Sequence, residues 1–163
     1  VILTFHVPGQ PATKGSGTPY FDERINKYRV KQSSKRLAPW EKSIATLTKA
    51  ALVRAGLAPR DEAAAIPEGP VVMRLLFWLD RPKAHFIGGD GQRLRATAPQ
   101  LHAKKLDLDK LARAVGDALV KARLLGDDGQ IARIEAEKRW ADPARGPGVR
   151  IEIETLNDKR EVA

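Results

Sequence analysis

Apolar and polar residues alternate from Val1 to Val7, with Val1, Leu3, Phe5 and Val7 on one side and Ile2, Thr4 and His6 on the other. That is the period of a half-buried strand, ended by Pro8-Gly9, and it makes His6 a strand residue facing solvent or a neighbour rather than a catalytic base. Residues 9 to 16 superficially look like a phosphate loop, yet no Gly precedes Lys14 at the required spacing, so they read as loop. Tyr20, Phe21, Tyr28 and Val30 among charges, at 18 to 32, suggest a short hairpin or an irregular excursion. Pro39 fits the first position of a helix, on which Trp40, Ile44, Leu47, Ala51 and Ala55 recur at helical spacing until Gly56. After a connection from Ala58 to Gly69, Val71 to Leu79 is apolar on both faces apart from Arg74, which marks an interior strand of a covered sheet.

From Arg81 to Lys105 there is no periodicity, and Gly88-Gly89-Asp90-Gly91 breaks the chain. A segment this long reads as a flexible basic flap. A second helix is expected from about Lys110 to Leu125, with Leu111, Val115, Ala118, Leu119 and Ala122 on one face and Gly126 as its stop. Ile131 to Trp140 and Val149 to Glu154 both alternate and are joined by a Pro/Gly-rich turn, so they read as an antiparallel hairpin, with Trp140 closing the edge of the core. The order predicts an α+β fold: a single domain, 1 to 156, with two main helices packed on a small mixed or mostly antiparallel sheet. The polar tail 157 to 163 is expected to fray.

Composition narrows the partners. With 29 Lys+Arg against 20 Asp+Glu the 163-residue chain carries a formal charge of +9, which favours a polyanion. Lys27, Arg29, Lys31, Lys35 and Arg36, interleaved with Tyr28, are candidate phosphate contacts, as are Lys104, Lys105 and Lys110. The absence of cysteine excludes disulfides, thiol catalysis and Cys-ligated zinc, and three scattered histidines argue against an all-His metal site. No stretch is long and apolar enough to span a bilayer and Val1 to Val7 lacks the form of a signal peptide, so the expectation is a cytoplasmic protein without membrane or nucleotide cofactor.

Against this basic background, Asp107, Asp109 and the Asp127-Asp128 pair stand out. Acids placed where an anionic polymer would lie suit a divalent cation held between carboxylate and phosphate. In an extended approach to the helix Asp107 and Asp109 would point the same way. On the helix Asp109, Arg113 and Asp117 share one face opposite the apolar stripe, so Arg113 can counter charge on a phosphoryl group but cannot transfer a proton. The plainer alternatives are helix capping for the first acids and a tight turn for Asp127-Asp128-Gly129.

The run Asp107-Leu-Asp109-Lys-Leu-Ala-Arg113-Ala-Val-Gly-Asp117-Ala-Leu119, followed by Leu125-Gly-Asp127-Asp128-Gly-Gln130-Ile131, resembles the core motif of the RusA family of Holliday junction resolvases. That motif is Asp-Leu-Asp-Asn-Leu, then Asp-Ala-Leu, then Asp-Asp before Gln-Val or Gln-Ile. The resemblance implies a homodimeric endonuclease of recombination and repair, dependent on Mg²⁺ (or Mn²⁺), that cuts branched, four-way DNA with paired nicks in strands of like polarity. It implies Asp107, Asp109 and Asp128 as metal ligands and catalytic acids, and Arg113 at the position of a catalytic Lys. Two departures are visible: Lys110 stands where the family has Asn, and Arg113 keeps the charge of the Lys without its proton chemistry.

A helix of about 15 residues is ~22 Å long, so Asp109 and Asp128 at its two ends cannot share an ion if the chain simply runs on. Either the chain folds back sharply after Gly126, or Asp128 joins the Asp107 and Asp109 of a second subunit, as two cuts by a two-fold dimer would suit. The rival functions are a non-catalytic junction-binding protein with the same basic surface and a transferase holding a nucleotide-sugar through Asp-x-Asp.

Overall fold

The computed structural model describes residues 2–15, 18–31, 34–58 and 63–156, so the expected tail from 157, Ser16 of the expected loop and residues 59–62 of the expected connection lie outside the described residues. Eight main elements follow in order: β1 (Ile2–Pro8), β2 (Thr18–Asp22), β3 (Lys27–Lys31), α1 (Leu37–Arg54), β4 (Val71–Leu79), α2 (Leu108–Lys121), β5 (Ile131–Trp140) and β6 (Gly148–Thr155). They form one α+β domain, with both helices on one face of a four-stranded mixed sheet of order β1-β6-β4-β5 and with β2-β3 as a separate two-stranded ribbon.

The alternation in β1 is observed as read: Leu3, Phe5 and Val7 are buried while Thr4 and His6 are exposed. These residues meet Val71, Met73, Leu75 and Phe77 of β4, Val149, Ile151 and Ile153 of β6, and the apolar stripes of α1 and α2 in a single core. Leu111, Val115 and Leu119 of α2 are fully enclosed, each worth roughly 1.5–3 kcal/mol by its removal from water. The helix α1 begins two residues before Pro39, which still falls in the first turn where a backbone donor has no partner to lose. Gly56, at φ 69°, ends it as expected.

Three expectations are corrected. First, β5 and β6 do not form a hairpin. Strand β5 runs parallel to β4, β6 runs antiparallel to β4 on its other side, and β6 also pairs with β1. The hydrophobic pattern explains this: β4 is buried along most of its length and takes the interior, whereas β5 is charged at Arg133, Glu135, Glu137 and Arg139 and suits an edge. The β5–β6 connection therefore crosses the end of β4, where the Ala141 N–H donates to Leu79 O at 2.8 Å.

Second, only one face of the interior strand carries helices; on the other Arg74 binds Glu135, Glu152 and Glu154 at 2.6–3.1 Å. Third, residues 81 to 105 are built rather than loose. Phe86 is buried, Phe86 bridges Leu94, and Arg81 donates to the carbonyls of Ala141 and Pro99, both at 2.8 Å. Residues 100–102 then lie antiparallel against the end of β5, with the His102 N–H on Lys138 O and the Trp140 N–H on Gln100 O. Trp140 sits in this seam between His85 and His102, their ring centroids 4.9 and 4.1 Å away.

Candidate active site

The helix that carries the acids starts at a sharp corner. Leu106 adopts φ 81°, costly for a branched side chain, and packs its own side chain against the core. Asp107 follows in extended conformation and α2 begins at Leu108, so Asp107 is the residue before the helix and Asp109 lies in its first turn. The two are thus not on one extended segment as the spacing suggested. The corner is held by Lys138 of β5, whose Nζ donates to the carbonyls of Lys104 at 3.0 Å and Leu106 at 2.8 Å. Asp107 makes no capping hydrogen bond. Its carboxylate instead meets Lys110 Nζ at 2.5 Å, and that hydrogen bond, with the charges of Lys110 and Lys138, holds it below the usual carboxylate range. The same partner raises the Lys110 ammonium.

From this corner a groove of about 550 Å³ runs between α2 and β5. Leu108, Ala112, Gly116, Ile131, Ile134 and Met73 supply its apolar lining, and Asp109, Arg113 and Asp128 its charges. Those three charged side chains make no hydrogen bond or ion pair among the described residues. Asp117, one turn beyond Arg113, is taken by Lys14, whose backbone N–H also donates to Lys110 O, so the loop after β1 braces α2.

The opposite end of the groove is set by the turn after α2. Arg123, at φ 61°, ends the helix, Leu124 and Leu125 bury themselves, and the chain doubles back into β5. At Gly126 a Cβ would lie 2.6 Å from Pro67 O, which is why the chain passes there as glycine. In the Asp-Asp pair the two acids divide their work. Asp127 accepts from the Gly129 N–H at 2.8 Å, and Gln130 Oε1 accepts from the N–H groups of Gly126 and Asp127, closing a capping box. Asp128 is left exposed.

Gly116 lies against the Ile131 side chain, which a Cβ there would meet at 3.4 Å, and both line the groove together with Asp109 and Asp128. The chain does fold back after Gly126 and so brings Asp109 and Asp128 of one chain into the same groove, and among the described residues no three acidic or histidine side chains gather closely enough to hold an ion.

Asp107, Asp109, Asp128 and Arg113 are all exposed, open to a polyanion. Lys104 and Lys105 are exposed just before the acidic corner, and Lys110 is tied to Asp107. Lys31 belongs to β3; Lys27 and Arg29 project from the β2-β3 ribbon, Lys35 and Arg36 form an exposed turn before α1, and none of these last four lines the groove. Lys138 was missed in the sequence, because on an alternating strand it looked like one more solvated charge. Its register opposite Phe77 comes from the parallel β4–β5 pairing, which the sequence did not disclose.

Among the described residues no helix is long and apolar enough to cross a membrane. No curated protein matches the chain. A family model described as Endodeoxyribonuclease RusA matches residues 8–154, from the end of β1 to the last residues of β6. Because that match covers nearly all of the domain with the acidic corner and the groove inside it, the chain belongs to the RusA family of endodeoxyribonucleases, hydrolases that resolve Holliday junctions.

Proposed function

We propose that this nuclease resolves four-way DNA junctions as a homodimer by paired, Mg²⁺-dependent phosphodiester hydrolysis, with Asp107, Asp109 and Asp128 as the metal-binding acids. The observation that carries this reading is the groove, where Asp109, Arg113 and Asp128 stand on an apolar lining with no hydrogen bond or ion pair among the described residues. Carboxylates left unpaired in a chain of charge +9 are poor neighbours for DNA unless a cation lies between them. The donor set suits a hard ion: all three are carboxylates, and at Asp107 the Lys110 ammonium already occupies a cation's place. Mg²⁺, or Mn²⁺, would supply Lewis acidity at the phosphate and a more acidic water as nucleophile.

The chain's own residues do the rest. Lys138 and the Leu106 corner fix where Asp107 points. Arg113 sets its guanidinium beside the scissile phosphate and counters the charge that grows there, always protonated and so never a proton donor. Lys110 shields Asp107 until it is displaced. That no three acids gather within one chain among the described residues favours a shared site: a second copy related by a two-fold axis would pack α2 and β5 into the groove and bring its Asp128 towards the first chain's Asp107 and Asp109. Leu108, Ala112, Gly116 and Ile134 form an apolar seam for such a partner.

The test is Asp109→Asn. Cleavage of a synthetic four-way junction in Mg²⁺ should vanish while binding persists or tightens, since a repelling carboxylate is gone. Retained cleavage would refute the assignment of the acids.

A further inference from the structure

Among the described residues, half of the exposed large hydrophobic side chains cluster on one small element. Tyr20, Phe21, Ile25 and Tyr28 all lie on the β2-β3 ribbon, and Tyr28 is 81% exposed. The cross-strand register sorts the ribbon into two faces. Pro19, Phe21 and Tyr28 fall on one, since Phe21 is directly opposite Tyr28; Tyr20, Asp22, Lys27 and Arg29 fall on the other, through the pairs Tyr20–Arg29 and Asp22–Lys27. On the first face Phe21 and Tyr28 pack edge to face at 5.1 Å, which organises the rings without covering them. Neither strand pairs with the main sheet. A two-stranded ribbon is marginal by itself, and this one spends two aromatic rings on an uncovered surface.

We propose that this ribbon is the element that recognises the branch point, stacking Phe21 and Tyr28 on bases left unpaired where the DNA arms separate while Lys27 and Arg29 hold the flanking phosphates; this rests on the reading of the chain as a junction-cutting nuclease. Two arguments favour DNA over a second copy of the chain. Two rings and a proline supply at most about half of the ~800 Å² that each partner of a stable protein interface usually buries. Base stacking, by contrast, needs only a single exposed ring beside a cationic track, and any base will serve because each has a π face. The opposite face carries the cations Lys27 and Arg29, the latter 3.7 Å from Asp22, and Lys35 and Arg36 are exposed in the turn before α1. Ordinary duplex DNA offers phosphates but no free base faces, so the two faces of the ribbon separate affinity from junction selectivity.

The experiment measures binding of the full chain, in EDTA so that nothing is cut, to a four-way junction carrying 2-aminopurine at the branch and to a linear duplex of the same sequence. The Phe21→Leu/Tyr28→Leu double variant keeps apolar bulk and removes the rings. It should lose about tenfold or more in junction affinity, leave duplex affinity unchanged and abolish the 2-aminopurine change seen with the parent. Lys27→Ala/Arg29→Ala should weaken both DNAs alike and flatten the salt dependence by about two charges. Undiminished junction binding by the leucine variant overturns the proposal, as does a change of its oligomeric state in sedimentation, which would make the ribbon a subunit contact. The two readings separate cleanly. If the parent fails to nick in Mg²⁺ but the ring variant loses junction binding, the ribbon stands and the acid site falls; if nicking is intact and the ring variant binds as before, the ribbon alone falls.

Discussion

Lys138 shows what a single side chain adds that no spacing rule reveals. Its ammonium joins two carbonyls across a left-handed leucine, immediately before the first acid. Lys138→Met keeps the aliphatic stem and removes both bonds, leaving the corner strained and two carbonyls short of a donor. The expected outcome is a loss of about 1–3 kcal/mol in thermal stability, together with a higher Mg²⁺ requirement for junction cleavage. A Mg²⁺ titration indistinguishable from wild type would mean the corner holds without it. At this scale the acids themselves were legible, since Asp-x-Asp and the second Asp of a pair stand out in a basic chain. Which of Asp127 and Asp128 is spent on the turn was not legible from spacing, because that depends on where Gln130 reaches. The resemblance implies Asp128; the capping box occupies Asp127 and leaves Asp128 exposed.

The elements were read well where burial is one-sided and poorly where pairing is long-range. Leu3, Phe5 and Val7, or Leu111, Val115 and Leu119, announce their face by period alone. The partner of β5 depends instead on which strand most needs the interior, and Val71 to Leu79 wins that place over the short connection that suggested a hairpin. The segment 81 to 105 failed for a related reason: its order comes from Arg81 on two carbonyls and from His102 and Gln100 on β5, and none of these contacts is periodic.

That docking has a pH signature. His102 is 7% exposed, its Nδ1 accepts from the Lys104 N–H at 3.3 Å, and burial together with the nearby Lys138 lowers its pKa below 6.5. The unfolded chain therefore binds the proton first, so stability is unaffected well above pH 6.5 and falls as pH drops from there towards the folded value. Melting temperatures measured between pH 8 and 5 should decline on the acid side, and His102→Asn, which keeps an acceptor and cannot titrate, should remove its part of that decline. A slope unchanged in the variant would assign it elsewhere, His6 being the other histidine with a lowered pKa.

For the molecule as a whole, the lack of a three-acid cluster among the described residues of one chain makes subunit sharing testable by mixing. If each site takes Asp109 from one chain and Asp128 from the other, Asp109→Asn and Asp128→Asn proteins are each inactive alone. Mixed and allowed to exchange subunits, they should regain nicking, with one intact site per heterodimer and one cut per junction in place of two. Sites completed within one chain would give no recovery, and gel analysis of single against paired nicks distinguishes the cases. Strand order, by contrast, follows from the competition for the sheet's interior and needs no partner.

The docking of residues 100–102 along the last part of β5 also decides how the protein behaves in a crowd. An outermost strand with free backbone groups along its whole length invites any passing extended chain to pair with it, and a parallel strand rich in Ile and Ala is a ready template. Here the chain supplies its own stopper at one end and flanks Ile134 with Arg133 and Glu135 at the other. What is left uncovered is too short and too highly charged to seed a fibril.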